Sequence, residues 1–268
     1  MCVRLEKTLS IAGVFLGLCA AFWPLGLWYG RRLTDGGDEP LGVVILGLLA
    51  VLIFKEKDQI EWCPNKCRLI IAGLFLGLYL LSTFWLPPML RSVPAILCLV
   101  FLLGWQERPS WLALLLLSLP VVASLQFYLG YPLRLISAET TRWLVIPFSH
   151  DVVREGSTLT SYGKVVGVDP PCSGIRILWM GMVVANVIAA FYQMKWLRMI
   201  AFNLLAITLL LLTNSLRAAL LFAPESGAIE IPESVHTGIG MICYLGAVIL
   251  LIKVATLKSA NLHVHTIS

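Results

Sequence analysis

Residues 168–176 read Val-Asp-Pro-Pro-Cys-Ser-Gly-Ile-Arg and join a polar segment to a long apolar run. Asp169 can cap a helix through its carboxylate, and proline suits the first helical position because its missing N–H has no partner there. Cys172 would then lie in the first turn, where free amides and the helix macrodipole favour a thiolate. Arg176, four residues later, returns to the same face and adds positive potential. We therefore predict a thiol pKa for Cys172 below that of free cysteine, although a buried, unreactive cysteine also fits this stretch.

The composition decides the class of protein. Of the 268 residues, 59% are hydrophobic and 13% are charged, and the mean hydropathy is +0.87. These values lie outside the range of soluble globular domains and predict a polytopic membrane protein, with the lipid bilayer as its surroundings. The net charge of +5 is then an orientation signal, because lysine and arginine collect on cytoplasmic loops. No basic tract interleaved with aromatic residues predicts a nucleic-acid partner.

Apolar runs predict about eight transmembrane helices within one integral membrane domain over residues 1–268. The basic loop from Lys55 to Arg68 and the later cluster at Lys195 and Arg198 mark the cytoplasmic side, so both termini are predicted to be cytoplasmic. The first run reads as a retained span and not as a signal peptide. The expected spans are residues 8–28, 41–54, 69–86, 93–105, 111–129, 174–192, 199–213 and 237–253.

Residues 130–171 are predicted to lie on the external face, outside the hydrocarbon. The charged residues scattered through 132–148 suit an interfacial amphipathic helix better than a lipid-facing span. From His150 to Val168 the chain is β-branched and polar with interspersed glycines, which predicts a small hairpin. The expected fold is therefore an all-α polytopic membrane protein with one small external β-hairpin before Cys172.

The cysteines do not predict a metal site. Cys63 and Cys67 form the only close pair among seven cysteines. A zinc site needs about four ligands and no histidine is near them in sequence, so we interpret them as free cytosolic thiols. We expect neither a metal nor a cofactor.

Three polar residues on separate helices are predicted to reach the external surface: Cys172, Arg217 and His236. A thiol nucleophile, a guanidinium for developing negative charge and an imidazole for proton transfer are the groups that acyl transfer requires. Considered alone, Arg217 could also be an interfacial anchor. His236 could likewise be an ordinary residue in a partly solvated position at the interface. Asn214 adds a donor on the helical face of Arg217, and Glu233 can orient His236. Arg176 either contributes to the stabilisation of negative charge at the site or is an ordinary arginine on the helix face near the interface.

These residues resemble a known family. Cys-Ser-Gly follows a short β segment, Asn-x-x-Arg ends a following helix, and a histidine opens the last helix. Over roughly residues 130–253 the chain is similar to the exosortase/archaeosortase family, with these signatures in the family's order. The resemblance implies a multi-span cysteine transpeptidase of the bacterial or archaeal inner membrane. It also implies that Cys172 is the nucleophile, Arg217 the oxyanion or carbonyl stabiliser and His236 the acid/base.

The same resemblance implies the substrates. They would be exported proteins with a C-terminal sorting tail, which consists of a short motif such as PEP, an apolar helix and a basic end. Cleavage would pass through a thioester on Cys172. Two other functions also fit the sequence: a small membrane transporter or scaffold, and an enzyme acting on lipid-linked sugars through the acidic residues Glu225, Glu230 and Glu233.

Overall fold

The structure is a computed structural model that describes residues 2–34, 41–56, 65–147, 151–161, 164–167, 174–225 and 232–265. Within these ranges the chain forms nine α-helices, one 3₁₀ turn and one three-stranded sheet. It divides into two compact units, the first comprising Met1–Gln106 and Ser118–Pro120 and the second Glu107–Leu117 and Val121–Ser268. Asn214, Arg217 and His236 belong to the second unit. Cys172 lies outside the described residues.

The first unit contains four helices, α1 Cys2–Thr34, α2 Leu41–Lys55, α3 Lys66–Ser82 and α4 Pro88–Leu103. Helix α3 starts where the Asn65 side chain accepts a hydrogen bond from the Arg68 backbone N–H at 2.8 Å, an N-cap that satisfies one free amide. Helix α4 ends at Gly104, whose φ of 76° requires glycine. The Tyr79 hydroxyl donates to the carbonyl of Ala21 at 3.0 Å and thereby joins α3 to α1.

Arg68 lies inside the first unit, although its sequence neighbours predict an exposed basic loop. Its side chain is buried, its Nε donates to the carbonyl of Phe101 at 3.2 Å, and its guanidinium packs on Gly104. A cation at this position satisfies carbonyls at the C-terminus of α4 and opposes the negative end of that helix.

The second unit contains five helices and the sheet. The helices are α5 Pro109–Leu117, α6 Val122–Val145, α7 Ile175–Phe191, α8 Trp196–Glu225 and α9 Glu233–His265. The strands β1 Val153–Glu155, β2 Thr158–Ser161 and β3 Lys164–Gly167 form an antiparallel sheet in the order β1-β2-β3. The Arg154 guanidinium lies 2.6 Å from a Glu139 carboxylate oxygen and fixes β1 to α6. Leu159 and Val166 face inward and pack with Phe222 of α8.

Helices α7, α8 and α9 form the core that supports the site. Small residues line their contacts, including Ala185, Ala189, Ala206 and Ala255, and such residues let helix backbones approach closely in a bilayer. Asn186 and Asn203 exchange amide hydrogen bonds at 3.0 and 3.3 Å between α7 and α8. The two carboxamides are therefore paired, which fixes the register of the helices.

The all-α architecture with a small sheet before residue 172 is confirmed. The sheet has three strands where the sequence predicts a hairpin. Two helices of the described chain are long and apolar enough to cross a membrane, Trp196–Phe222 and Ser234–Leu257, and the bent pair α5 and α6 would add a third. Helices also cover the other expected runs, but eight crossings remain a prediction.

The helix expected over 111–129 is broken. Helix α5 ends at Leu117 and α6 starts at Val122, at an angle of 91°. Pro120 explains the break, since proline has no N–H to donate and disfavours helical geometry in the residue before it. The Leu117 carbonyl at the break accepts a hydrogen bond from the Trp179 indole at 3.2 Å. Helix α6 then runs without a break through the expected boundary at residue 130 and includes most of the segment predicted to be a separate interfacial helix.

Candidate functional site

The start of α7 lies against Asn214 of α8. Gly174 is the N-cap of α7 and has a φ of 78°, a left-handed conformation that favours glycine. A β-carbon added at residue 174 would lie only 2.8 Å from both Cγ and Nδ2 of Asn214. Two independent features therefore favour glycine at residue 174: its left-handed backbone conformation and the carboxamide that lies beside it.

The Asn214 carboxamide is held from the other side by α6. Its Nδ2 donates to the Ser137 hydroxyl at 3.1 Å, and Asn214 and Ser137 are 2% and 1% exposed. Next to them Thr140 and Ser215 share a hydroxyl hydrogen bond, and the Thr141 hydroxyl donates to the Ser215 carbonyl at 3.3 Å. Buried polar groups with satisfied partners fix side chains in one geometry. Asn214 is thus a fixed contact between α6, α8 and the start of α7.

Arg217 lies one turn beyond Asn214 on α8 and packs on α9. A β-carbon added at Gly240 would lie 3.0 Å from Arg217 Nε and 3.4 Å from Cδ. The absence of a side chain at residue 240 gives the arginine its place on α9. Arg217 is half-buried, so its stem is packed on α9 while its charge keeps access to solvent or substrate.

His236 lies near the start of α9, one turn before Gly240. Its backbone N–H donates to the Pro232 carbonyl at 3.2 Å within the first turn, and the residue is half-buried. Residues four apart lie on the same helical face. The packing of Arg217 on Gly240 therefore brings the arginine and the histidine to the same part of the contact between α8 and α9.

The remaining predicted residues are placed as follows. Arg176 is exposed in the first turn of α7. Glu233 begins α9, and its side chain lies outside the described part of the structure, as do Asp169 and Cys172.

The expected span 174–192 agrees with α7, but the predicted capping of this helix by Asp169 is wrong. Helix α7 begins at Ile175 with Gly174 as its N-cap, so Asp169 does not cap this helix and Cys172 precedes it in sequence instead of lying in its first turn. The reason is the left-handed Gly174, because a helix cannot continue through that conformation toward the N-terminus. The first turn of α7 still begins just after the Cys-Ser-Gly sequence, so the positive end of the helix macrodipole lies there.

The sequence analysis missed Ser137 and Gly240, and it named Gly174 only as part of the Cys-Ser-Gly signature. Ser137 is one of many serines and is 77 residues from its partner in sequence. The two glycines leave only a weak signal in the sequence. Gly174 lies two residues after the cysteine, where a side chain would displace Asn214, and Gly240 lies one turn after the histidine, where a side chain would displace Arg217. Within the described residues, the Asn214 carboxamide lies next to Gly174, two residues after Cys172 in sequence, and the Arg217 guanidinium packs on α9 at Gly240.

A family model described as transmembrane exosortase matches residues 32–253. The matched range includes the whole arrangement of α6, α7, α8 and the start of α9. No curated protein and no solved structure matches the chain.

Proposed function

Because the chain belongs to the transmembrane exosortase family, we propose that it is a membrane cysteine transpeptidase. Its Cys-Ser-Gly, Asn-x-x-Arg and histidine signatures predicted this family. The proposed enzyme cleaves and sorts exported proteins with a C-terminal tripartite tail. The observation that carries this proposal is the packing of Asn214 on Gly174 and of Arg217 on Gly240. These two contacts join α7, which follows the predicted nucleophile in sequence, to the helices that bear the guanidinium and the imidazole.

The nucleophile is Cys172. It precedes Gly174 by two residues, so covalent geometry keeps its Cα within about 7 Å of the Gly174 Cα, and Gly174 in turn contacts Asn214. The N-terminal amides of α7 and the nearby cations favour the thiolate form of the cysteine. Arg176 in the first turn of α7 contributes to the same potential, and Glu233 orients His236 from the first turn of α9.

The first half-reaction forms a thioester. His236 takes the proton of the Cys172 thiol, and the sulfur attacks the carbonyl carbon of the scissile peptide bond. The carbonyl oxygen becomes an oxyanion that the Arg217 guanidinium stabilises. When the C–N bond breaks, the imidazolium returns the proton to the leaving amine. The tail departs with a free amino group, and the rest of the substrate stays on sulfur as a thioester.

The second half-reaction releases the product. An amine or a water molecule attacks the thioester carbonyl, and His236 accepts a proton from this nucleophile. The C–S bond then breaks, and the thiol is restored with that proton. The site lies at the external surface of the cytoplasmic membrane, where partial dehydration strengthens the guanidinium contact to the oxyanion. The substrate's own apolar tail delivers its scissile region to that surface.

A thiol-reactive probe tests this function. Purified enzyme is labelled with a fluorescent maleimide, with and without a synthetic peptide that carries a sorting tail, and the labelled cysteine is identified by mass spectrometry. We expect labelling of Cys172 that the tailed peptide suppresses and a peptide with a scrambled tail does not. Cys67, which is exposed, serves as an internal control whose labelling the peptide leaves unchanged. Labelling of Cys172 that no tailed peptide affects would contradict the proposal.

A further inference from the structure

A groove of about 210 Å³ lies between the first turns of α8 and the later turns of α9. On α8 its lining residues recur at 198, 201, 202 and 205, which is one helical face. Val254 and Ala255 line it from α9. The groove is far from the candidate active site, since residues 198 and 217 are separated by roughly 28 Å along the continuous helix α8, at about 1.5 Å per residue.

One end of the groove is cationic. The Arg198 Nη2 donates to the Ala255 carbonyl at 3.2 Å, while its Nε is buried and has no hydrogen-bond partner among the described residues. Lys195 lies just before α8, Lys253 is next to Val254, and both are exposed. From residue 194 to 224, and again from 234 to 265, the sequence contains no Asp or Glu. The acidic residues of these helices are Glu225 and Glu233, and both lie at the helix ends away from the groove.

The other end of the groove is apolar and open to the outside of the unit. Phe202 forms its floor. Leu205 is 42% exposed on its rim, and the exposed face of α8 continues past it with Leu204 and Leu212. Trp196, also exposed, begins α8. Exposed tryptophan next to lysine and arginine at the end of an apolar helix is typical of the level of lipid headgroups.

We propose that this groove binds one anionic phospholipid. The phosphate lies at Arg198, with Lys195 and Lys253 beside it, and an acyl chain follows Phe202, Leu205 and Val254 along the helices. Basic pockets between membrane helices on the side of the positively charged loops bind anionic headgroups. The occupant is a lipid, not a free anion, because the apolar lining continues directly onto the lipid-facing surface of α8.

Native mass spectrometry of the purified full chain tests this site. Phosphatidylglycerol and phosphatidylcholine with identical acyl chains are titrated separately. We expect one phosphatidylglycerol to bind about tenfold more tightly than phosphatidylcholine, and Arg198→Gln to weaken phosphatidylglycerol binding about tenfold while leaving phosphatidylcholine unchanged. Lys66→Gln, which removes an exposed charge at the start of α3, is the matched control and should bind as wild type does.

Two further arms separate the contributions of charge and groove. Ala201→Trp fills the apolar part at an exposed position without removing a charge, and we expect it to lose phosphatidylglycerol as well. If Arg198→Gln fails to fold, this variant decides. An excess of inorganic phosphate should not displace the lipid. Wild-type binding by Arg198→Gln or by Ala201→Trp, equal affinity for the two lipids, or displacement by phosphate would each overturn the proposal.

Discussion

Arg217 is the residue at which an electrostatic role and an anchoring role can be separated. Its stem packs on Gly240, and its planar guanidinium can donate two parallel hydrogen bonds to a carbonyl or an oxyanion. Loss of one preorganised donor to an oxyanion costs on the order of 100-fold in rate, whereas loss of a membrane anchor costs little. The two roles therefore predict very different activities for the same substitutions.

We expect Arg217→Ala and Arg217→Lys each to slow tail removal by on the order of 100-fold, because lysine keeps the charge but lacks the planar fork. The measurement is the gel mobility of a tailed substrate co-expressed with each variant, alongside a blot for the enzyme. Cys172→Ser and His236→Ala are the inactive references. Normal processing by Arg217→Lys would reduce the requirement to a positive charge, and normal processing by Arg217→Ala would make the residue an anchor.

Ser137 acts through Asn214, because its hydroxyl accepts the hydrogen bond that holds the carboxamide beside Gly174. We expect Ser137→Ala to lower the free energy of unfolding by about 1–3 kcal/mol, the cost of a lost hydrogen bond in a buried pair. We also expect a lower rate of tail removal per folded molecule. Ser110→Ala, a buried serine on α5 of the same unit, is the control for stability alone. Equal rates per folded molecule for both variants would show that Ser137 has no positioning role.

At the level of helices, Gly238 and Gly240 of α9 differ in the space that an added β-carbon would meet. A β-carbon at Gly238 meets nothing within 4 Å, whereas one at Gly240 lies 3.0 Å from Arg217 Nε. Alanine is the better helix former by about 0.5–1 kcal/mol, so both substitutions favour the helix equally. Only the second one displaces the guanidinium, and by a few tenths of an ångström.

We expect Gly240→Ala to slow tail removal roughly tenfold, since small displacements of a catalytic group have large effects on rate. Gly238→Ala should retain full activity. Both variants should melt at or slightly above the wild-type temperature, as measured by thermal unfolding in detergent, and both are assayed with the same tailed substrate. A Gly240→Ala enzyme as active as Gly238→Ala would show that Arg217 is not held in a rate-determining position by this contact.

The sequence predicted helices better than helix ends. Apolar runs and prolines locate the helices because lipid-facing and buried surfaces both select for apolar residues. The cap of α7 was predicted at Asp169 but lies at Gly174, whose left-handed conformation and contact with Asn214 of another helix leave no local signal. The break at Pro120 was overlooked for a related reason. An apolar run on both sides of a proline fits either a kinked span or two helices, and packing decides between them.

At the level of the molecule, the number of crossings predicted that the segments at Cys172, Arg217 and His236 converge, but not the contacts between their helices. Cys172, Arg217 and His236 were assigned to one surface by counting crossings, and the structure packs α8 on α9 next to Arg217 and α7 on α8 next to Asn214. The contribution of α6 was not predictable, because Ser137 and Asn214 are 77 residues apart in sequence. Such a contact depends on the whole arrangement of helices and leaves no periodic signal along the chain.

The sidedness of the membrane protein can be tested through the sheet. Basic residues at 55–68 and at 195–198 predict that these two segments are cytoplasmic. The chain is expected to cross the membrane an odd number of times between either segment and the sheet, which puts the sheet on the external side. Single cysteines are introduced at positions 62, 165 and 196 in a background without reactive native cysteines. Cys98 can remain because it is buried. Val165 is suitable because its side chain is 66% exposed on β3.

We expect a membrane-impermeant maleimide to label Val165→Cys in intact cells, and to label Trp62→Cys and Trp196→Cys only after permeabilisation. The permeabilised sample is the control, since all three positions must react there for the comparison to hold. The sheet is joined to residue 172 by a few residues, and a chain of that length cannot cross the hydrocarbon core of about 30 Å. Protection of position 165 in intact cells would therefore move Cys172 to the cytoplasmic side, where no exported substrate presents its tail, and the proposed reaction would fail with it.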